Sequence, residues 1–199
     1  MKSINIYIKE ALKLGKLRYK YYPKTKEELK EIITQRIKDE GNEVDLNDID
    51  ISNITDMSEL FQFSDFNGDI SKWDVSNVTT LRGIFFNCKS FNQDISTWNV
   101  SKVKDMSYMF HNCIKFNQDI SKWNVSKVNN MRLMFFNCES FNKDISKWDV
   151  SNVNDMRFMF CYCGSFNQDI SKWNVSSVAN VHFIFEHCPL KQKYKPKFK

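Results

Sequence analysis

The sequence predicts an α/β solenoid of stacked 25-residue rungs, and three observations carry that prediction. Trp73, Trp98, Trp123, Trp148 and Trp173 recur every 25 residues, in step with Phe66, Phe91, Phe116, Phe141 and Phe166 and with Cys88, Cys113, Cys138, Cys163 and Cys188. Inside each repeat the apolar spacing changes from two to three and four, the signature of a strand followed by a helical segment. An amphipathic stretch ahead of the first repeat is placed to cap the stack.

Residues 1–22 form an N-terminal segment in which Ile4, Ile8, Ala11 and Leu12 suit either a short helix ending near Gly15 or a flexible anchor. Lys9, Glu10 and Lys13 interrupt its apolar residues, so no secretory signal is expected there. No apolar run approaches the roughly 20 residues of a membrane span. The expected setting is intracellular or virion-associated rather than a cell surface. Residues 23–43 predict the capping helix. Thr25 is its N-cap and Glu28 completes a capping box, Leu29, Ile32, Ile33 and Ile37 make one apolar stripe, and Gly41 ends it.

Residues 44–188 hold about six rungs. The first is degenerate: Ile49, Ile51, Ile54, Met57, Leu60 and Phe61 repeat the pattern at an offset of 24, with Ile in place of Trp. In a full rung, Ile95, Trp98 and Val100 follow I-x-x-W-x-V, the spacing of a leucine-rich-repeat strand. Val103, Met106, Met109, Phe110 and Cys113 then recur at helical steps, with Ser101 placed to cap them. The expected rung is therefore leucine-rich-repeat-like, with one short parallel strand and one short helical segment.

The repeats resemble the DUF285 family of roughly 25-residue bacterial surface protein repeats, related to BspA-like leucine-rich repeats. Phe-Asn-x-Asp-Ile-Ser-x-Trp-Asx-Val-Ser-x-Val followed by Met-x-x-Met-Phe-x-Asn-Cys, as in Phe116 to Cys138, carries the resemblance over about residues 44 to 188. It implies a structural or protein–protein interaction module, in a virus, a phage or a cell-surface assembly.

Composition argues against chemistry. Five of the six cysteines occupy one repeat position, as expected of a buried ladder rather than disulfides or zinc ligands. Asp69, Asp94, Asp119, Asp144 and Asp169, beside Asn67, Asn92, Asn117, Asn142 and Asn167, could bind cations, but turn chemistry that every rung repeats is the favoured reading. Trp at every rung is read as core, its indole N–H needing a partner. Three histidines, no nucleophile constellation and no phosphate loop predict no enzyme, no metal and no cofactor.

Two walls could meet a protein partner. On the strand wall, Lys72, Thr97, Lys122, Lys147 and Lys172 alternate around the Trp column with Asp74, Asn99, Asn124, Asp149 and Asn174. On the helical wall, Gly83, Tyr108, Leu133, Phe158 and Phe183 vary from rung to rung, beside Phe86, His111, Phe136, Cys161 and Glu186. The net charge of +5 resides in the tail of residues 189–199. Removing Lys191, Lys193, Lys195, Lys197 and Lys199 leaves 24 basic against 24 acidic residues. That tail is either a solubilising end or a docking element for an acidic partner, a membrane surface or nucleic acid. Protein binding is the leading expectation and nucleic acid the alternative.

Overall fold

The computed structural model describes residues 19–198, so the expected helix of residues 3–14 and the side chain of Lys199 lie outside the described residues. The one α-helix among them, α1, is Lys26–Glu40. Thr25 Oγ1 accepts from the Glu28 N–H at 3.2 Å. The Glu28 carboxylate accepts from the Lys24 N–H at 2.7 Å, so the box closes one residue earlier than its usual form. Gly41 ends the helix at φ +88°, a backbone conformation that favours glycine. Leu29 and Ile33 enter the core, and Arg36 holds the helix to the first rung through Asp48 at 2.9 and 3.1 Å and the Asp45 carbonyl at 3.0 Å.

The rungs overturn the expected α/β, leucine-rich-repeat-like class. Among the described residues no strand forms; parallel pairing is limited to single-residue bridges, one between Tyr21 and Ile49 and the rest down one column, Asp56, Thr80, Asp105, Asn130, Asp155 and Asn180. No rung contains a helix either. Each is a succession of tight turns whose N–H bonds the carbonyl three residues back, as in Trp98 to Ile95, Val103 to Val100, Met109 to Met106 and Cys113 to Phe110. The I-x-x-W-x-V motif thus contains a turn where a strand was expected. Ser101 does not cap a helix; its N–H donates to Asn99 Oδ1 at 3.2 Å. Left-handed residues explain the missing helix: Tyr108 (φ +59°) and Asn112 (φ +59°), with equivalents in every rung, interrupt any right-handed run. Steps of three and four arise from chained turns as well as from a helix.

Stacking is held by backbone bonds between rungs. Met106, Tyr108, Phe110 and Asn112 donate to the carbonyls of Asn130, Arg132, Met134 and Phe136 at 2.8–3.0 Å. Equivalent sets join every pair of rungs, and all four point the same way. Other backbone bonds run in reverse, as from Asn129 to the Lys104 carbonyl at 2.9 Å and from Ser140 to the Ile114 carbonyl at 3.2 Å.

The core lies inside these rings of backbone. Phe61, Phe85, Phe110, Phe135, Phe160 and Phe185 stack with centroids 5.6–5.8 Å apart, beside a second column of Phe66, Phe91, Phe116, Phe141 and Phe166. Each Trp is buried, and its indole N–H donates to a carbonyl of the preceding rung, as from Trp123 to Ile95 at 3.2 Å. The cysteine column is buried down to Cys163 and carries no disulfide, each thiol facing a carbonyl such as Phe110 O from Cys138 at 2.8 Å. Burial pushes the Cys88 thiol up to about 12.

Candidate partner-binding surface

The face expected to be a strand wall is a wall of Asx turns. Asp69, Asp94, Asp119, Asp144 and Asp169 each accept the N–H of the serine two residues on at 2.8–3.0 Å. Asp74, Asn99, Asn124, Asp149 and Asn174 do the same for Ser76, Ser101, Ser126, Ser151 and Ser176. This is the turn chemistry favoured for the Asp ladder. Hydrogen bonds from the paired serines hold Asp119, Asp144, Asp149 and Asp169 below the usual carboxylate range. Lys72, Thr97, Lys122, Lys147 and Lys172 are exposed beside them.

The neighbouring asparagines form a second ladder with a role the sequence did not disclose. The side-chain oxygens of Asn67, Asn92, Asn117 and Asn142 accept the N–H of Asn92, Asn117, Asn142 and Asn167 at 2.9–3.0 Å. These side chains bond from rung to rung rather than within a turn. The only available signal was their strict repetition beside Asp.

The opposite face, expected to be helical, is a turn wall with a different chemistry. Tyr108, Leu133, Phe158 and Phe183 lie in one column at φ +54° to +59°, a region costing an L-residue about 1–2 kcal/mol. Gly83 occupies the same position at φ +57° without that cost. In the adjacent left-handed column stand Phe63, Asn87, Asn112, Asn137, Tyr162 and His187. Phe63, Tyr162 and Phe183 are 71%, 46% and 55% exposed, three large apolar side chains on one wall.

Rings and cations fill the space between. His111 is stacked between Phe86 and Phe136 at 4.6 and 4.7 Å. Burial pushes it down to about 4, and its Nδ1 has no hydrogen-bond partner. Arg82 and Arg132 flank the Tyr108 ring at 5.7 Å each, and Arg82 also bonds Glu59 at 2.5 Å. Because Gly83 carries no side chain, the column has a gap there. A concavity of about 220 Å³ opens, lined by Glu59, Gln62, Arg82, Gly83, Phe86 and Tyr108. The sequence marks Gly83 as one member of a variable column; the gap exists only once Glu59 and Tyr108 stand on either side of it.

The basic tail folds onto the last rung. Leu190 is buried where the Phe column would continue, the Lys191 N–H extends the asparagine ladder to Asn167 Oδ1 at 3.2 Å, and Ile170 donates to the Tyr194 carbonyl at 3.1 Å. Lys191 and Lys193 lie over the Tyr194 ring and Lys195 over Phe185, at 5.2–5.5 Å. Lys197 is exposed. Among the described residues no helix is long and apolar enough to cross a membrane, and no group of three or more His, Cys, Asp or Glu is arranged to hold a metal ion.

No curated protein matches the chain, and no solved structure matches it. A family model described as "Mycoplasma protein of unknown function, DUF285" matches residues 28–135 and again residues 100–197, which takes in most of α1, every rung and most of the tail. On that match, and on the repeat residues that fill both spans, the chain belongs to the DUF285 family.

Proposed function

We infer that this is a non-enzymatic protein-binding module whose turn wall is the recognition surface. The observation that carries this reading is the gap at Gly83, a concavity among Arg82, Phe86 and Tyr108 able to take one apolar or aromatic side chain of a partner. Further along the wall, exposed Phe183 and Tyr162 supply rigid contact area at low entropic cost. Bulky residues held in left-handed backbone support the same reading, because strain of this kind concentrates at functional positions. The Asx wall offers less: its carboxylates and amides are already engaged by the serines of their own turns.

The test is cross-linked capture from source-cell lysate with three forms of the chain. Gly83→Tyr fills the gap with the residue that the next rung carries. Phe183→Asn removes an exposed ring while suiting its backbone. A Lys122→Ser, Lys147→Ser, Lys172→Ser form strips the Asx wall of its cations. A discrete protein retained by the lysine form and lost from the other two supports the turn wall. The reverse pattern places recognition on the Asx wall and overturns it.

A further inference from the structure

The rung-to-rung bonds have a direction, so the two ends of the turn wall are unlike. In each internal interface four alternate N–H groups point toward the following rung, as Met156, Phe158, Phe160 and Tyr162 do toward Asn180, His182, Ile184 and Glu186. In the last rung the equivalent donors are Val181, Phe183, Phe185 and His187, and none has a hydrogen-bond partner among the described residues. Beyond Cys188 the chain leaves this wall. Leu190, Lys191 and Tyr194 cover the Asx side of the rung, Lys195 lies over the Phe185 ring and Phe198 packs against the core, and none of them partners the four N–H groups. Phe183 is the most exposed member of its column there.

We propose that this open row is a docking edge for one rung-like segment of a partner chain, of the Met-x-x-Met-Phe-x-Asn-Cys type. A row of unpaired backbone groups is a template for pairing. The four groups are all donors, and the acceptor beside them is the Ala179 carbonyl, whose equivalents take the reverse bonds. The row therefore rejects a second copy of itself placed edge to edge, and takes a segment that turns four carbonyls toward it. What covers the same face at the internal interfaces is such a turn segment, Met131–Cys138 upon Met106–Cys113 being one case. A second copy of this chain meets an obstacle. Its matching carbonyls, on Asp56, Ser58, Leu60 and Gln62, lie beside α1, whose Lys26 bonds the Asp56 and Ser58 side chains. A helix about 10 Å across at that end holds the two rows apart. The occupant is accordingly a rung from another chain, entering beside the tail. This edge is separate from the Gly83 gap and does not depend on it.

Hydrogen exchange on the full-length chain, read amide by amide, tests the proposal. In the free chain Val181, Phe183, Phe185 and His187 are expected to exchange at least about tenfold faster than Met156, Phe158, Phe160 and Tyr162. Equal protection at low protein concentration overturns it. The probe is a synthetic peptide copying residues 130–142 with Cys138→Ser, set against a scrambled version. Saturable protection of those four amides by the copy alone is the expected result. A second arm inserts one extra 25-residue repeat between Cys188 and Pro189, where protection of the same four amides is expected whatever the peptide's affinity. If neither arm protects them, the row does not accept a rung. If the insertion protects and the peptide does not at millimolar concentration, docking between chains is overturned. Protection that instead rises with the chain's own concentration, alongside larger species in sedimentation, identifies a second copy and overturns the assignment to a partner.

Discussion

The Asx wall and the turn wall are made from the same 25 residues, stacked by the same translation, yet they relate to their local geometry in opposite ways. On the Asx wall nearly every turn carries the Asp or Asn that its backbone favours, followed by the Ser that completes it. On the turn wall one left-handed column carries Asn in three rungs, as its backbone favours, whereas its neighbour carries Tyr108, Leu133, Phe158 and Phe183 where Gly or Asn would fit more cheaply. One wall is locally self-consistent. The other retains bulky side chains against their conformational preference, so packing or recognition must compensate for the strain.

The largest expected effect tests the first half of that contrast. Replacing Asp119, Asp144 and Asp169 together by Ala removes three turn-forming acceptors and is expected to lower the urea unfolding midpoint more than any other change considered below. Replacing the three by Asn, which other turns on this wall already use, is expected to recover most of that loss. If both triple variants lose the same amount, the turns depend on charge and not on the acceptor.

Acid separates the walls next. The folded-state position of Asp119, Asp144, Asp149 and Asp169 lies below the ordinary carboxylate value, so their contribution is present above about pH 4 and fades as pH falls below it. His111 acts in a different window. Held near 4 against an ordinary 6.5, it stays neutral in the fold while the unfolded chain takes up a proton, so stability declines as pH falls from about 6.5 to 4 and levels off below. Denaturation midpoints recorded across pH 3 to 7 check both. His111→Phe, the residue found at positions 86 and 136, should abolish the upper phase and leave the lower one. A decline that survives this substitution assigns the upper phase to another group.

Strain relief should be smaller and of opposite sign. Leu133 is half-buried at φ +56°. Leu133→Asn is expected to stabilise by up to about 1 kcal/mol, because relief of the left-handed backbone outweighs the packing of a half-buried leucine side chain. A net loss would mean that the column is packed tightly enough to outweigh its backbone. The smallest change is expected on the exposed lysines, where Lys122→Ser with Lys147→Ser should stay within about 0.5 kcal/mol of the parent.

Much of this molecule was legible before its structure. The 25-residue period marked the five full repeats, and the recurrence of Trp, Phe and Cys identified the inward columns that the structure buries. Thr25, Glu28 and Gly41 marked the ends of α1 through local hydrogen bonds that span only a few residues. The expected strands and helical segments failed for a definite reason. Apolar spacing reports which side chains share a face but not the path of the backbone between them, and chained turns produce the same three-and-four spacing as a helix. What selects turns is a set of N–H groups bonded to carbonyls some 24 residues further on, pairings that exist only after the rungs stack. The same stacking turned Gly83 from one variable residue into a cavity, drew Leu190 and Tyr194 onto the last rung, and left the N–H groups of Val181, Phe183, Phe185 and His187 in an open row. Local sequence determined the repeat, its inward residues and the capping helix; long-range pairing decided the backbone conformation and every surface proposed to bind.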